Sequence, residues 1–189
     1  MKLMKVLRPL ANGIVAAILL FVAGLAPAWA DNKKLDDLFQ QLQTCTDEEA
    51  VPITQSIWLE WSKSGSPSMD LLLRRGSAAM AAGDPKDAID HLTALIDHAP
   101  DFPEGYNERA TAYFEIGQYG LSIADIAKTL SLNPRHFGAL AGLGMIFEQL
   151  NEPDKALEVY QEALKLNPHM KDVRASVKRL DAKLGGQEL

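Results

Sequence analysis

The chain has a single cysteine, Cys45. A disulfide framework needs pairs, so no bridge forms within the chain, and Cys45 reads as a small buried apolar residue. Basic residues are also in deficit, with 19 Lys and Arg against 25 Asp and Glu. That balance argues against nucleic acid as a partner, since phosphates demand a positive surface. Anionic lipid headgroups are disfavoured for the same reason. Catalytic signatures are missing as well: there is no Gly-x-Ser-x-Gly, no phosphate loop and no dinucleotide fingerprint. The histidines, His91, His98, His136 and His169, are not paired at i, i+4 and form no metal-ligand set. No catalytic residue, metal site or cofactor is therefore assigned.

Long apolar runs are absent except at the start. Leu10 to Leu25 is almost wholly apolar, interrupted by Asn12 and Gly13, and follows a basic stretch of Lys2, Lys5 and Arg8. Pro27 then breaks any helix, and Ala28-Trp29-Ala30 has the small-x-small pattern of a signal peptidase site. Residues 1–30 read as a secretory signal peptide cleaved after Ala30. An uncleaved anchor is the lesser alternative, because the run is short for a bilayer span of roughly 20 residues. The expected product is exported, periplasmic or secreted, with no membrane insertion after cleavage. Losing Lys2, Lys5 and Arg8 leaves 16 Lys and Arg against 25 Asp and Glu, a net charge near −9.

What the chain does have is a period. Three windows, 69–102, 103–136 and 137–170, repeat at a spacing of 34 residues. A small residue recurs at Gly76, Ala110 and Gly144, and turn residues recur at Gly83, Gly117 and Asn151. A second small residue recurs at Ala88, Ser122 and Ala156, and Pro100, Pro134 and Pro168 close the windows. Larger apolar residues hold the register at Leu72, Tyr106 and Leu140, and at Leu92, Ile126 and Tyr160. A third such set is Ala79, Tyr113 and Phe147. A fixed period of this length means a stacked repeat array. Each window holds two apolar-periodic runs of helical length. First helices are predicted near 70–82, 104–116 and 138–150, and second helices near 86–98, 120–132 and 154–166. Small residues mark helix crossings, Asp84-Pro85 supplies an N-cap with proline at the first helical position, and the closing prolines stop the second helices.

The pattern resembles the tetratricopeptide repeat family. The third window matches best, through Leu143-Gly144, Phe147, Ala156, Tyr160, Ala163 and Leu166-Asn167-Pro168. The second departs at Ser122 and Thr129, where the family usually has alanine, and the first has Ala79 in place of an aromatic. The resemblance implies an all-α fold, a right-handed superhelical solenoid of antiparallel helix hairpins with a concave binding face. It implies no chemistry.

The flanks read as caps. In 31–68, Leu35, Leu38, Phe39 and Leu42 form one helical stripe, and Thr46 with Glu49 forms a capping box that opens a second helix. Pro52 is awkward there and should kink the helix or delay its start. The segment is predicted to be a repeat-like N-terminal hairpin ended by a turn at Ser64-Gly65-Ser66-Pro67, with Trp58 and Trp61 facing a core. In 171–189, Val173, Val177, Leu180 and Leu184 can seal the last hairpin, with Lys171, Arg174, Lys178, Arg179 and Lys183 as a solvated face. His98, His136 and His169 fall in loops between repeats and are expected at the surface. Arg75 and Arg109 stand where the family more often has leucine; a charge there needs a partner, and Asp90 and Asp125 are the candidates.

The family geometry implies a concave face lined by the first helices. It points to Leu73, Arg74, Ser77, Met80, Asn107, Glu108, Thr111, Phe114, Ala141, Met145 and Glu148 as tentative groove residues. Some cytosolic relatives grip a peptide's terminal carboxylate with basic and amide groups in this groove. Here the corresponding face carries Leu73, Glu108, Ala141 and Gly142, so that clamp is not assembled. The expected function is a non-enzymatic interaction scaffold of the cell envelope, binding an extended peptide or protein segment. The alternative is a receptor for a small molecule or cell-wall ligand, using the Trp58 and Trp61 region.

Overall fold

The computed structural model describes residues 33–185, which form nine helices and no strand. The proposed signal segment, 1–30, lies outside the described residues. Helices α1 (Lys33–Thr44) and α2 (Asp47–Trp61) make an N-terminal hairpin. Three hairpins follow: α3 (Pro67–Ala81) with α4 (Pro85–His98), α5 (Pro103–Glu115) with α6 (Tyr119–Leu132), and α7 (Phe137–Gln149) with α8 (Pro153–Leu166). Helix α9 (Lys171–Gly185) packs on α8 and ends the stack. This is the helical repeat solenoid the period predicts.

The period has a mechanical cause at each hairpin turn. Gly83, Gly117 and Asn151 all have positive φ, at 76°, 72° and 55°. In each case the following residue, sixth in the motif, reaches back with its N–H to the carbonyl of the first: Asp84 to Ala79, Gln118 to Tyr113 and Glu152 to Phe147. The left-handed residue itself donates to Met80, Phe114 or Glu148. These are three copies of the Schellman stop, and it needs a residue that tolerates left-handed backbone. Helices then restart on proline at N1 in α4 and α8, and Asp84 accepts from the Asp87 N–H.

The helix crossings are equally repetitive. A Cβ on Gly76 would come within 2.6 Å of the Leu92 side chain, and one on Gly144 would strike the Tyr160 ring. Leu92 and Tyr160 occupy equivalent places in their repeats, so the small residue on the first helix exists to admit the bulky one on the second. The family's missing alanines are accounted for too. Ser122 is buried and donates to the Ala110 carbonyl at 2.7 Å, and buried Thr129 donates to the Asp125 carbonyl at 2.9 Å. Arg109 pairs with Asp125 through two bonds of 2.7 and 2.8 Å and also reaches Thr93. Arg75 is exposed and makes no pair with Asp90, so the expectation held for one arginine only.

The N-terminal hairpin is where packing departs most from local reading. Thr46 and Glu49 do form the capping box, and α2 runs from Asp47 straight through Pro52. Pro52 and Glu48 are exposed, so water can satisfy the carbonyl that lost its donor. The hairpin's apolar face, with Leu35, Phe39, Leu42, Ile57 and Trp61, is completed by Phe137 from the start of α7, not by the α3 helix that follows it in sequence. Leu166 and Met170 pack against the same cluster. The hairpin therefore turns back and lies along the edge formed by the inter-repeat loops. Polar contacts follow the same edge: Arg135 to Asp36, Gln43 to the Lys165 and Leu166 carbonyls, and His169 and Arg174 to Asp47.

Candidate functional site

The sequence-predicted groove residues all lie on the first helix of a repeat, and their surroundings differ from repeat to repeat. In the first repeat Leu73 is buried, 5% exposed, inside the core shared with Leu92, Leu95 and Phe102. It is core and not groove surface. Met80 is half-buried against the same core, and Arg74 is exposed. Ser77 donates to the Leu73 carbonyl and contacts Glu108 at 3.4 Å. None of these four lines the cavities of the later repeats.

The second and third repeats make the recess. Asn107, Thr111, Phe114 and Met145 line one cavity between α5 and α7, with Glu115, Gly138 and Gly142 completing it. Ala141, Met145 and Glu148 line a second, of about 380 Å³, against Asp172, Val173 and Ser176 of α9. A third, apolar recess of about 590 Å³ runs from Ala141 and Met145 to Val51 and Trp58 of α2. Met145 belongs to all three and is 48% exposed. Met145 is thus the centre of the recess. Phe114 is half-buried and tilts against Tyr119 at 5.6 Å, so it both supports the core and lines the wall.

The polar groups of this face are largely committed. Glu104 is 2% exposed and receives the Asn107 amide at 3.1 Å and the His136 Nε2 at 3.0 Å. His136 was expected at the surface, but it is fully buried. Its Nδ1 accepts from the Ala139 N–H, capping α7, which leaves Nε2 to donate to Glu104. Its ring stacks on Trp61 at 4.3 Å. Loop position misled the sequence reading because the cover comes from the N-terminal hairpin. Trp58 packs edge-on to Phe137 and over Gly138. Trp61 is spent on docking the hairpin, and half-buried Trp58 both docks it and lines the third recess.

Electrostatics on this side are acidic. Burial, with Glu104 as a like-charged neighbour, raises the Glu108 carboxyl to about 7, against a smaller opposing effect from Ser77. Glu148 accepts from Tyr160 at 2.9 Å and from Arg179 at 2.6 Å, and burial beside Glu148 pushes the Tyr160 hydroxyl up. Arg179 and Arg174 were read as solvated, yet both tie α9 to the body, to Glu148 and Asp47 respectively. Hydrogen bonds from Arg174 and His169 hold the Asp47 carboxyl well below the usual range. Cys45 is half-buried, with its sulfur 3.5 Å from His169 Nε2. Among the described residues no group of three or more ligating side chains is placed for a metal, and no helix is long and apolar enough to cross a membrane. Sequence reasoning missed Val51, Asp172 and Val173 as walls and named Trp58 only for the alternative ligand. They come from the flanking elements and carry no periodic signal.

A family model described as tetratricopeptide repeat matches residues 73–129 and 107–171. The chain belongs to the tetratricopeptide repeat family. A TPR repeat-containing protein of Rhizobium etli is 35% identical over 155 residues, covering 82% of this chain and 76% of that one. The SGT1 homologue of Bos taurus is 32% identical over 62% of this chain, which spans only 35% of that protein. Among solved structures, the Sgt2 TPR domain of Aspergillus fumigatus superposes with a TM-score of 0.61 at 25% identity, covering 65% of this chain and 83% of that one. The first TPR of Spaghetti (RPAP3), bound to the HSP90 peptide SRMEEVD, gives 0.59 at 23% identity over 62% of this chain and 93% of that one.

Proposed function

We propose that this protein is a non-enzymatic interaction module that holds an extended peptide or protein segment on the concave face of its second and third repeats. One observation carries the reading: three adjoining recesses converge on Met145, a large apolar side chain left half in solvent. An exposed apolar centre rimmed by polar groups is what a docking surface presents. Relatives whose structures hold HSP90 or HSP70 peptides support a peptide as the class of ligand. The test is Phe114→Ala with Met145→Ala in one protein. Capture of the partner is expected to fall at least tenfold, with the helical melt moved only by the partial loss of Phe114 packing. Undiminished capture would reject this face.

The working place is the cell envelope, on the strength of the basic start, the apolar run and Ala28-Trp29-Ala30. For the small-molecule alternative, Trp61 is 5% exposed and stacked on His136, which leaves only the half-buried Trp58, in the wall of the third recess, to meet a ligand.

A further inference from the structure

We infer that the bound segment is cationic: one apolar anchor side chain over Met145, flanked by lysine or arginine. This rests on the groove reading above and specifies its ligand. The two recesses that meet at Met145 between α5, α7 and α9 are lined by three carboxylates, Glu115, Glu148 and Asp172, and by no lysine or arginine. The third, toward α2, adds Lys171 and Asp47, the latter already paired with Arg174. Glu115 and Asp172 are exposed and make no ion pair with any described residue. Their charge is therefore available to a ligand.

Glu148 displays the chemistry in miniature. It already takes a guanidinium, that of Arg179, at 2.6 Å. A carboxylate accepts arginine in a charge-assisted bond roughly twice as strong as a neutral one. Within the first two recesses the apolar surface is set by Met145 and the half-buried Phe114, which suits one anchor side chain, and the third recess continues the apolar wall to Val51 and Trp58. The same acids repel an acidic tail such as SRMEEVD, the peptide in the RPAP3 complex. Like charges juxtaposed at an interface reject wrong partners, and complementary ones speed encounter. The excess of Asp and Glu over the whole chain favours the same sign of ligand.

The test is selection from a random twelve-residue peptide library displayed on phage, against the purified protein. Met145→Glu and the double reversal Glu115→Lys with Asp172→Lys serve as comparison proteins. All three positions are exposed, and a helical melt verifies each fold. Enriched peptides should carry one large apolar residue among lysines and arginines. Their affinity should fall tenfold or more on the double reversal, and should weaken with added salt. Neutral or acidic enriched peptides that lose binding on Met145→Glu would overturn the cationic ligand and leave the groove reading standing. No enrichment, or enrichment indifferent to Met145→Glu, would overturn both. Enrichment of peptides copied by the chain's own basic α9 face, with a doubled mass in solution, would replace the ligand by a second copy.

Discussion

At the scale of single residues, the repeat is a set of steric and backbone requirements that few side chains meet. Gly144 is the sharpest case. Any side chain there enters the space of Tyr160, while Gly185 has nothing within 4 Å. Gly144→Leu should therefore cost about 1–3 kcal/mol or more by overpacking, and Gly185→Leu almost nothing. Thermal melts of the two variants check this, and equal melting temperatures would refute the crossing. Such positions were legible because they recur every 34 residues. His136 was not legible, since the residues that bury it, Trp61 and Glu104, lie in other elements. Glu108 supplies a pH signature. Its folded pKa near 7 lies above the ordinary 4.5. The folded state thus holds this proton more tightly than the unfolded chain, so the stabilisation is full below about 4.5 and is lost as pH rises through 7. Glu108→Gln should melt higher than the parent at pH 8 and at the same temperature at pH 4.5. An unchanged difference across that range would remove Glu108 from the account.

At the scale of elements, helix starts and stops follow capping chemistry, which is local, and the predicted spans differ from the observed ones mainly at first turns. Ser64-Gly65-Ser66-Pro67 reads as a turn, yet Pro67 is already the first residue of α3, steadied by Asp70 accepting from the Ser64 N–H and hydroxyl. Where the hairpin α1–α2 docks was beyond sequence reading. Its docking contacts join residues far apart in sequence, 99 positions for Arg135 and Asp36 and 80 for Trp58 and Gly138, and no period encodes them. Docking rests on aromatic packing. Trp58→Ala with Trp61→Ala should cost on the order of 3–5 kcal/mol and release the hairpin while the repeats stay folded. Hydrogen exchange should then rise across 33–61 and stay low in α5, α6 and α8. Loss of protection throughout would mean that the hairpin is part of the solenoid's own core.

At the scale of the whole molecule, three stacked repeats are closed by α9, and the N-terminal hairpin supplies Val51 and Trp58 to a recess with Ala141 and Met145 of the third repeat. If residues 1–30 are an export signal, the product begins at Asp31, and its intact mass will lack those thirty residues; the full-length mass would point to an anchor instead. The acidic, Met145-centred recess is the central claim, and light-driven crosslinking tests it most directly. A photoreactive amino acid is placed at Met145 in one protein and at exposed Glu158, on the second helix of the same repeat, in another. Irradiation in the native extract should yield a discrete partner adduct from position 145 and none from 158. Adducts from 158 alone, or equal adducts from both, would contradict the groove as the binding face.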